Sequence, residues 1–194
     1  YAEAFKQFES QSAEVIKKAD DNGLKLAGAA RRQDAALARA AIVKMAQDAG
    51  ILIDARKVAE ILNEFPGVGR RFERLADGIY TDYAHHPEEI KATIDVAKDE
   101  CEMRGKKGVV VVYQPHQNTR QHEVRDGYKN AFDGVERIYW LPTYLTRENP
   151  ELKVLTPEEL YEGIGNAETA ELGEKLFDEI VKWRDAGYLV VLMT

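Results

Sequence analysis

The sequence predicts an α/β fold: a mostly parallel sheet flanked by helices, preceded by a small helical segment. Three observations carry this. Past residue 66, short apolar runs alternate with longer helical stretches, the pattern of strand–helix–strand units. The run Gly108-Val109-Val110-Val111-Val112-Tyr113 is continuously apolar, as a strand buried on both faces is. At Phe65-Pro66-Gly67-Val68-Gly69 the texture changes, and Pro and Gly break the preceding helix. A domain boundary is placed there, dividing residues 1–65 from 66–194.

The elements follow in order. Residues 1–18 read as helix, with Ala4, Phe5, Phe8, Ser12 and Val15 near helical spacing. Asp20-Asp21-Asn22-Gly23 stops it. Leu24-Lys25-Leu26 is a short extended piece ending at Gly28. Residues 33–48 are Ala-rich and helical, closed by Gly50. Asp54 is placed to cap a third helix, with Val58, Ile61, Leu62 and Phe65 on one face. In the second part, residues 71–75 and 79–82 flank Asp77-Gly78, a hairpin signal. Pro87-Glu88-Glu89 opens a helix that runs to about Arg104, since Pro suits the first turn and acids suit the positive end of the dipole. A helix over 120–132 and a strand over 135–141 come next. Thr156-Pro157-Glu158-Glu159 caps a short helix. Residues 168–185 read as one longer helix, and 188–193 as a last apolar strand.

Composition removes several classes of function. Lys and Arg number 27 against 34 Asp and Glu, a net charge of −7. That balance argues against a dedicated nucleic-acid binder, which needs clustered cations. No apolar run approaches the ~18 residues that span a bilayer. The single cysteine, Cys101, excludes an internal disulfide and suits a reducing cytoplasm. The chain opens on Tyr1 rather than Met, which suggests a trimmed piece of a longer protein.

In an open parallel sheet, ligands bind beyond the carboxyl ends of the strands. Two predicted strand ends lead into polar loops: Asp82-Tyr83-Ala84-His85-His86-Pro87, and Gln114-Pro115-His116-Gln117-Asn118-Thr119-Arg120. Both run into helix N-termini, whose free N–H groups favour phosphate or carboxylate. Each group also has a plain structural reading. The His pair would then be a solvated cap, Arg120 a surface side chain, and Arg70-Arg71 an exposed strand pair. A zinc site from His85, His86, His116 and Cys101 fits no closed-site spacing. Nothing near Cys101 would lower its pKa for nucleophilic work. Neither G-x-x-x-x-G-K-[ST] nor G-x-G-x-x-G occurs in the chain.

These loops resemble those of the Mur ligase family, ATP-dependent enzymes that build the peptide stem of peptidoglycan. Phe65-Pro66-Gly67-Val68-Gly69-Arg70-Arg71-Phe72-Glu73 resembles the family's entry into its C-terminal domain. Asp82-Tyr83-Ala84-His85-His86-Pro87-Glu88-Glu89-Ile90 is similar to that domain's first signature loop, and Gln114-Pro115-His116 with Thr119-Arg120 to its second. The resemblance covers about residues 28–193 and points to the member that joins L-alanine to UDP-N-acetylmuramate. A sister ligase that recycles murein tripeptide, and a non-catalytic module that keeps the fold and binds a nucleotide or partner, are the alternatives. The resemblance implies a three-domain enzyme, of which this chain holds a Rossmann-like amino-acid-binding domain and the tail of the central ATP-binding domain. The N-terminal and central domains, with the P-loop and the Mg2+ ligands, would lie outside it.

The implied chemistry has two steps. ATP phosphorylates the sugar-linked carboxylate, and the L-alanine amine then attacks the acyl phosphate. By resemblance, Arg71 would meet ATP phosphate and Asp82 the ribose or nucleotide. Tyr83, His85, His116 and Arg120 would line the alanine and acyl-phosphate pocket, with His85 and Arg120 as the catalytic pair. Arg31 and Asp34 would stand at nucleotide-facing positions of the central-domain tail: Ala30-Arg31 takes the place of a His-Asn pair of the family, and Asp34 that of a further Asn. Gln117-Asn118 replaces the family's usual Arg-Tyr, removing one cation from the acceptor pocket.

Overall fold

The computed structural model describes residues 2–193, so Tyr1, the first residue of the predicted opening helix, lies outside the described residues, as does Thr194. The described residues form two compact units that part between Pro66 and Gly67.

The first unit is helical. It comprises α1 (Ala2–Gln11), α2 (Ala29–Asp48) and α3 (Ala55–Asn63). Its small core gathers Leu24, Ala35, Ala36 and Ala59, with Leu26 and Leu62 against them. Residues 20–25, which turn at Asn22-Gly23, are tied down by side chains from the helices. Arg39 donates to the carbonyls of Asn22 and Asp20. Asn63 accepts from the Lys25 amide at 2.8 Å and donates to the Gly23 carbonyl at 2.8 Å. Asp54 caps α3, accepting from the Arg56 amide.

Two boundaries differ from the sequence reading. The predicted helix over 1–18 ends at Gln11. Ser10 and Ser12 donate to the carbonyls of Gln7 and Phe8, competing with the helical ladder, and no residue of α1 is buried to hold a longer helix. Conversely, α2 begins at Ala29, four residues early, because Gly28 takes φ 84° and turns the chain directly into Ala-Ala-Arg-Arg.

The second unit is a three-layer α/β domain. Its strands are β1 (Glu73–Ala76), β2 (Ile79–Asp82), β3 (Val109–Tyr113), β4 (Arg137–Trp140), β5 (Ala167–Thr169) and β6 (Leu189–Met193), in the sheet order β1-β2-β6-β3-β4-β5. Only the β1–β2 hairpin is antiparallel. All five residues of β3 are buried, as its uninterrupted valines require. One face packs on α7 (Glu174–Asp185) through Val110, Val112, Val190, Tyr139 and Leu176. The opposite face of the pleat carries Tyr113, which meets Tyr128, Phe132 and Trp140 edge-on. α4 (Pro87–Arg104) contributes buried Ile90, Ile94, Ala97 and Cys101. α5 (Asn118–Val124) and the four-residue α6 (Pro157–Leu160) complete the helices.

Two further expectations are corrected here. The helix predicted over 120–132 is α5 followed by a 3-10 turn, Arg125–Asn130. Asp126-Gly127 is a weak helical pair, and the tighter turn carries Gly127 against the Pro87 ring and buries Tyr128. Residues 168–185 are not one helix. Residues 167–169 form the edge strand β5, paired with β4 from Ile138↔Ala167 to Trp140↔Thr169, and Gly173 precedes α7. Glu and Ala favour a helix locally, but the open hydrogen-bonding edge of β4 outweighs that preference.

Candidate functional site

Four parallel strands end level. Asp82 pairs with Met193, Met193 with Tyr113, and Tyr113 with Trp140. Everything that leaves the sheet beyond this line shares one rim.

The loop after β2 places Tyr83 and His85 on that rim. The loop after β3 places His116 there. The rings of Tyr83 and His85 lie 4.9 Å apart, Tyr83 and His116 5.5 Å, and His85 and His116 stack at 5.7 Å with 20° between planes. The Arg70 guanidinium sits 4.5 Å over the Tyr83 ring, and that of Arg71 is at 5.9 Å. Arg120, half-buried in the first turn of α5, is close enough to act electrostatically on His116, Tyr113 and Tyr128. The sequence-predicted Tyr83, His85, His116, Arg71 and Arg120 thus belong to one cationic, aromatic cluster.

The chemistry of His85 is set by its neighbours. Its Nδ1 lies 2.7 Å from the Tyr83 carbonyl oxygen. A carbonyl only accepts, so Nδ1 carries the proton and Nε2 holds the lone pair in the neutral ring. Glu89 supports this arrangement: its Oε2 accepts from the His85 amide at 3.1 Å and lies 3.4 Å from Nδ1. Burial opposes ionisation of Glu89, but the His85 amide, the His85 ring, the His86 amide and Arg71 together hold its carboxyl below the usual range. His116 is held below its ordinary value by burial first, then by His85, Arg120 and Arg70. Burial and the fixed guanidinium charges of Arg120 and Arg70 thus favour the neutral ring at His116.

Asp82, expected by resemblance to meet the nucleotide, makes its bonds in this structure within the chain. It is buried, and its carboxylate accepts from the Phe72 amide at 2.7 Å, the Ala84 amide at 2.7 Å and the Thr93 hydroxyl at 3.1 Å. It fastens the Arg70–Phe72 turn to the end of β2. That turn is strained: Arg70 and Phe72 have φ of 57° and 50°, and Gln117 opposite has 63°. His86 takes the plain reading for the His pair: its side chain caps α4, in a capping box closed by Glu89. Arg31 and Asp34 lie on α2 in the first unit. Cys101 is buried in α4 with its thiol against the Gly108 carbonyl, and burial pushes its pKa up.

Three members of the cluster escaped the sequence reading. Arg70 stacks on Tyr83, Glu89 supports His85, and Tyr144 lies 5.7 Å from His116. Tyr144 donates its amide to Pro115 and accepts from the Gln117 amide, joining the loop after β4 to the loop after β3. A signal was present: Pro142-Thr143-Tyr144 follows a strand on the same rim, and the strand-end rule applies to it equally.

The donor set suits an anion. Among the described residues no group of three or more His, Cys, Asp or Glu side chains could hold a metal ion. Also among the described residues, no helix is long and apolar enough to cross a membrane.

The description "Mur ligase, glutamate ligase domain" matches residues 70–194, well over half the chain and all of this rim. The chain belongs to the Mur ligase family. Over 136 residues it is 33% identical to the UDP-N-acetylmuramate–L-alanine ligase of Fusobacterium nucleatum, covering 63% of this chain and 28% of that protein. The solved UDP-N-acetylmuramate–alanine ligase of Thermotoga maritima aligns over 88% of this chain and 35% of that one, with a TM-score of 0.54 at 24% identity. Mycobacterium tuberculosis folylpolyglutamate synthase, solved with ADP and AMPPCP, aligns over 88% of this chain and 38% of that one, with a TM-score of 0.58 at 18% identity. These structures share the fold. The chain spans 28% of the curated relative and 35% to 38% of the solved ones. The matched residues include Tyr83, His85, His116 and Arg120.

Proposed function

We propose that this chain is the amino-acid-binding part of an ATP-dependent ligase that joins L-alanine to UDP-N-acetylmuramate in peptidoglycan synthesis. The single observation that carries the reading is the convergence of both signature loops on one cationic cluster, with His85 held as the Nε2 base. The 33% identity to an alanine-adding relative supports the choice of acceptor.

The chemistry asked of the rim follows. Arg120 pairs with the carboxylate of L-alanine, a charge-assisted contact suited to its guanidinium. The ammonium of L-alanine must lose a proton before it attacks, and the free Nε2 of His85 accepts it. Arg70 and Arg71 face the phosphoryl group of the activated carboxylate, where charge grows as the tetrahedral intermediate collapses. ATP supplies the activation of the carboxylate. With three substrates, holding them in register is a large part of the rate. The chain has no G-x-x-x-x-G-K-[ST] motif, so on this reading the P-loop, the Mg2+ ligands and the UDP-sugar site belong to other domains, and the 194 residues bind acceptor without turnover. Residues 1–65, with Arg31 and Asp34, would then be the helical remnant of the ATP-binding domain.

The test has two arms. NMR titration of the labelled chain with L-alanine, then Mg-ATP, should shift amides at 83–86 and 116–120. The ligase that contains this chain should form ADP only when UDP-N-acetylmuramate and L-alanine are both present. No turnover with L-alanine, while another amino acid or a peptide is accepted, would overturn the choice of acceptor.

A further inference from the structure

Beneath the cluster lies a buried polar chain that the chemistry above does not use. Tyr113, Tyr128 and Gln121 are 0%, 1% and 0% exposed. The Tyr113 and Tyr128 hydroxyls are 2.9 Å apart, Tyr128 meets Oε1 of Gln121, and Nε2 of Gln121 is 2.8 Å from the His116 carbonyl. The Tyr113 hydroxyl also lies 3.4 Å from the His85 carbonyl.

The directions from His116 to Tyr113 follow from the acceptors, and the single Tyr113 proton goes to the nearer Tyr128 oxygen, leaving the His85 carbonyl at 3.4 Å as a polar contact only. A carbonyl only accepts, so the amide must present Nε2 to His116 and Oε1 to Tyr128. Tyr128 must then donate to Oε1, which leaves its lone pair to accept from Tyr113. Both phenols stay protonated, since burial pushes Tyr128 up to about 12 and Tyr113 well above its usual value. A glutamine at a fully buried helical position is costly unless both ends are satisfied, and here both are. His116 is otherwise held by its bridge to Tyr144, and its ring is faced by His85, Tyr83, Tyr144 and the charges of Arg120 and Arg70.

We propose that Tyr113, Tyr128 and Gln121 are positioning residues: a one-directional relay from the end of β3 through the 3-10 turn to α5 that clamps the His116 carbonyl and so holds its ring against His85. The relay ties the loop carrying His116 to the floor beneath the loop carrying His85. Its relevance to ligation rests on the function proposed above, whereas its geometry does not.

The experiment follows the His ring titrations of the 194-residue chain by NMR in Tyr128→Phe and Gln121→Leu. The relay predicts that the His116 titration moves up toward its ordinary range as the ring leaves the cluster. It predicts also that L-alanine binds about tenfold or more weakly, the scale of a small misplacement. A lower melting temperature with an unchanged His116 titration in both variants would overturn it. Where Gln121→Leu fails to fold, Gln121→Glu decides. A protonated carboxyl can donate to His116 and accept from Tyr128, but a carboxylate only accepts. The amides of 116–118 should then pass through a transition as the introduced carboxyl ionises, and the absence of one would overturn the relay. If the unaltered chain ignores L-alanine while the His116 titration still moves, the choice of acceptor fails and the relay stands.

Discussion

Asp82 concentrates more of the site's geometry than any residue that faces the solvent. Two backbone amides and a hydroxyl converge on one buried carboxylate, and one of those amides belongs to Phe72, in the turn that carries Arg70 and Arg71. Asp82→Ala should cost about 3 kcal/mol in urea unfolding, because buried donors lose a charged acceptor. Asp82→Asn should cost less, since it keeps one carbonyl oxygen for Ala84 and Thr93. An unchanged unfolding midpoint in the alanine variant, with nucleotide binding alone lost, would return Asp82 to a ligand role. His116 makes a second claim at this scale. Burial, His85, Arg120 and Arg70 lower its folded value, so the unfolded chain takes up this proton at higher pH than the folded one. Its contribution to stability is therefore full above the ordinary histidine range and is lost as pH falls through that range toward the folded value. A carboxylate seated against the ring opposes that shift. L-alanine should bind more tightly as pH falls from about 8 to about 6, with proton uptake measurable by calorimetry in two buffers. Affinity independent of pH would place the carboxylate elsewhere.

Among elements, the 3-10 turn after α5 is the piece that tolerates least change. A Cβ added at Gly127 would lie 2.9 Å from Cγ of Pro87, a ring atom at the first residue of α4. Gly127→Ala should therefore destabilise by roughly 1–3 kcal/mol, as overpacking does, and should perturb the amides of 85–87 in the same spectra. No perturbation there would mean that the turn gives way instead. What was legible in sequence follows the same physics. β3, α4 with its Pro87 opening, the hairpin at Asp77-Gly78 and the two capped helices at Asp54 and Thr156 rest on short-range signals, and the structure has them. β5 did not announce itself, because its three residues are a strand only by virtue of the free edge of β4. The break between α5 and the 3-10 turn depends on a contact with Pro87, 40 residues earlier in the chain. At the site, the two loops were visible because strand ends attract ligands. The part of Asp82 was not, since an aspartate before a loop looks the same whether its oxygens face a ribose or the backbone of a turn folded back from Phe72.

For the whole molecule, the parting of the two units between Pro66 and Gly67 makes a direct prediction. Phe65 and Val68 are 52% and 60% exposed, and the backbone there belongs to no helix or strand. Brief thermolysin digestion should cut first on the N-terminal side of Val68 and leave the remainder resistant, as linkers between compact units are cut before their interiors. First cuts within the 140–155 loop instead would show that the rim is the looser region. The order β2-β6-β3 has a consequence for how the protein is made. The strand that joins the two loop-bearing strands is the last of the six to be synthesised. Until Leu189–Met193 emerge, β2 lacks its parallel neighbour and β3 has one edge open, so the two histidine loops have no common floor. Nascent chains stalled just short of β6 should expose those strand edges to chaperones, and the rim should form in one step once β6 has emerged.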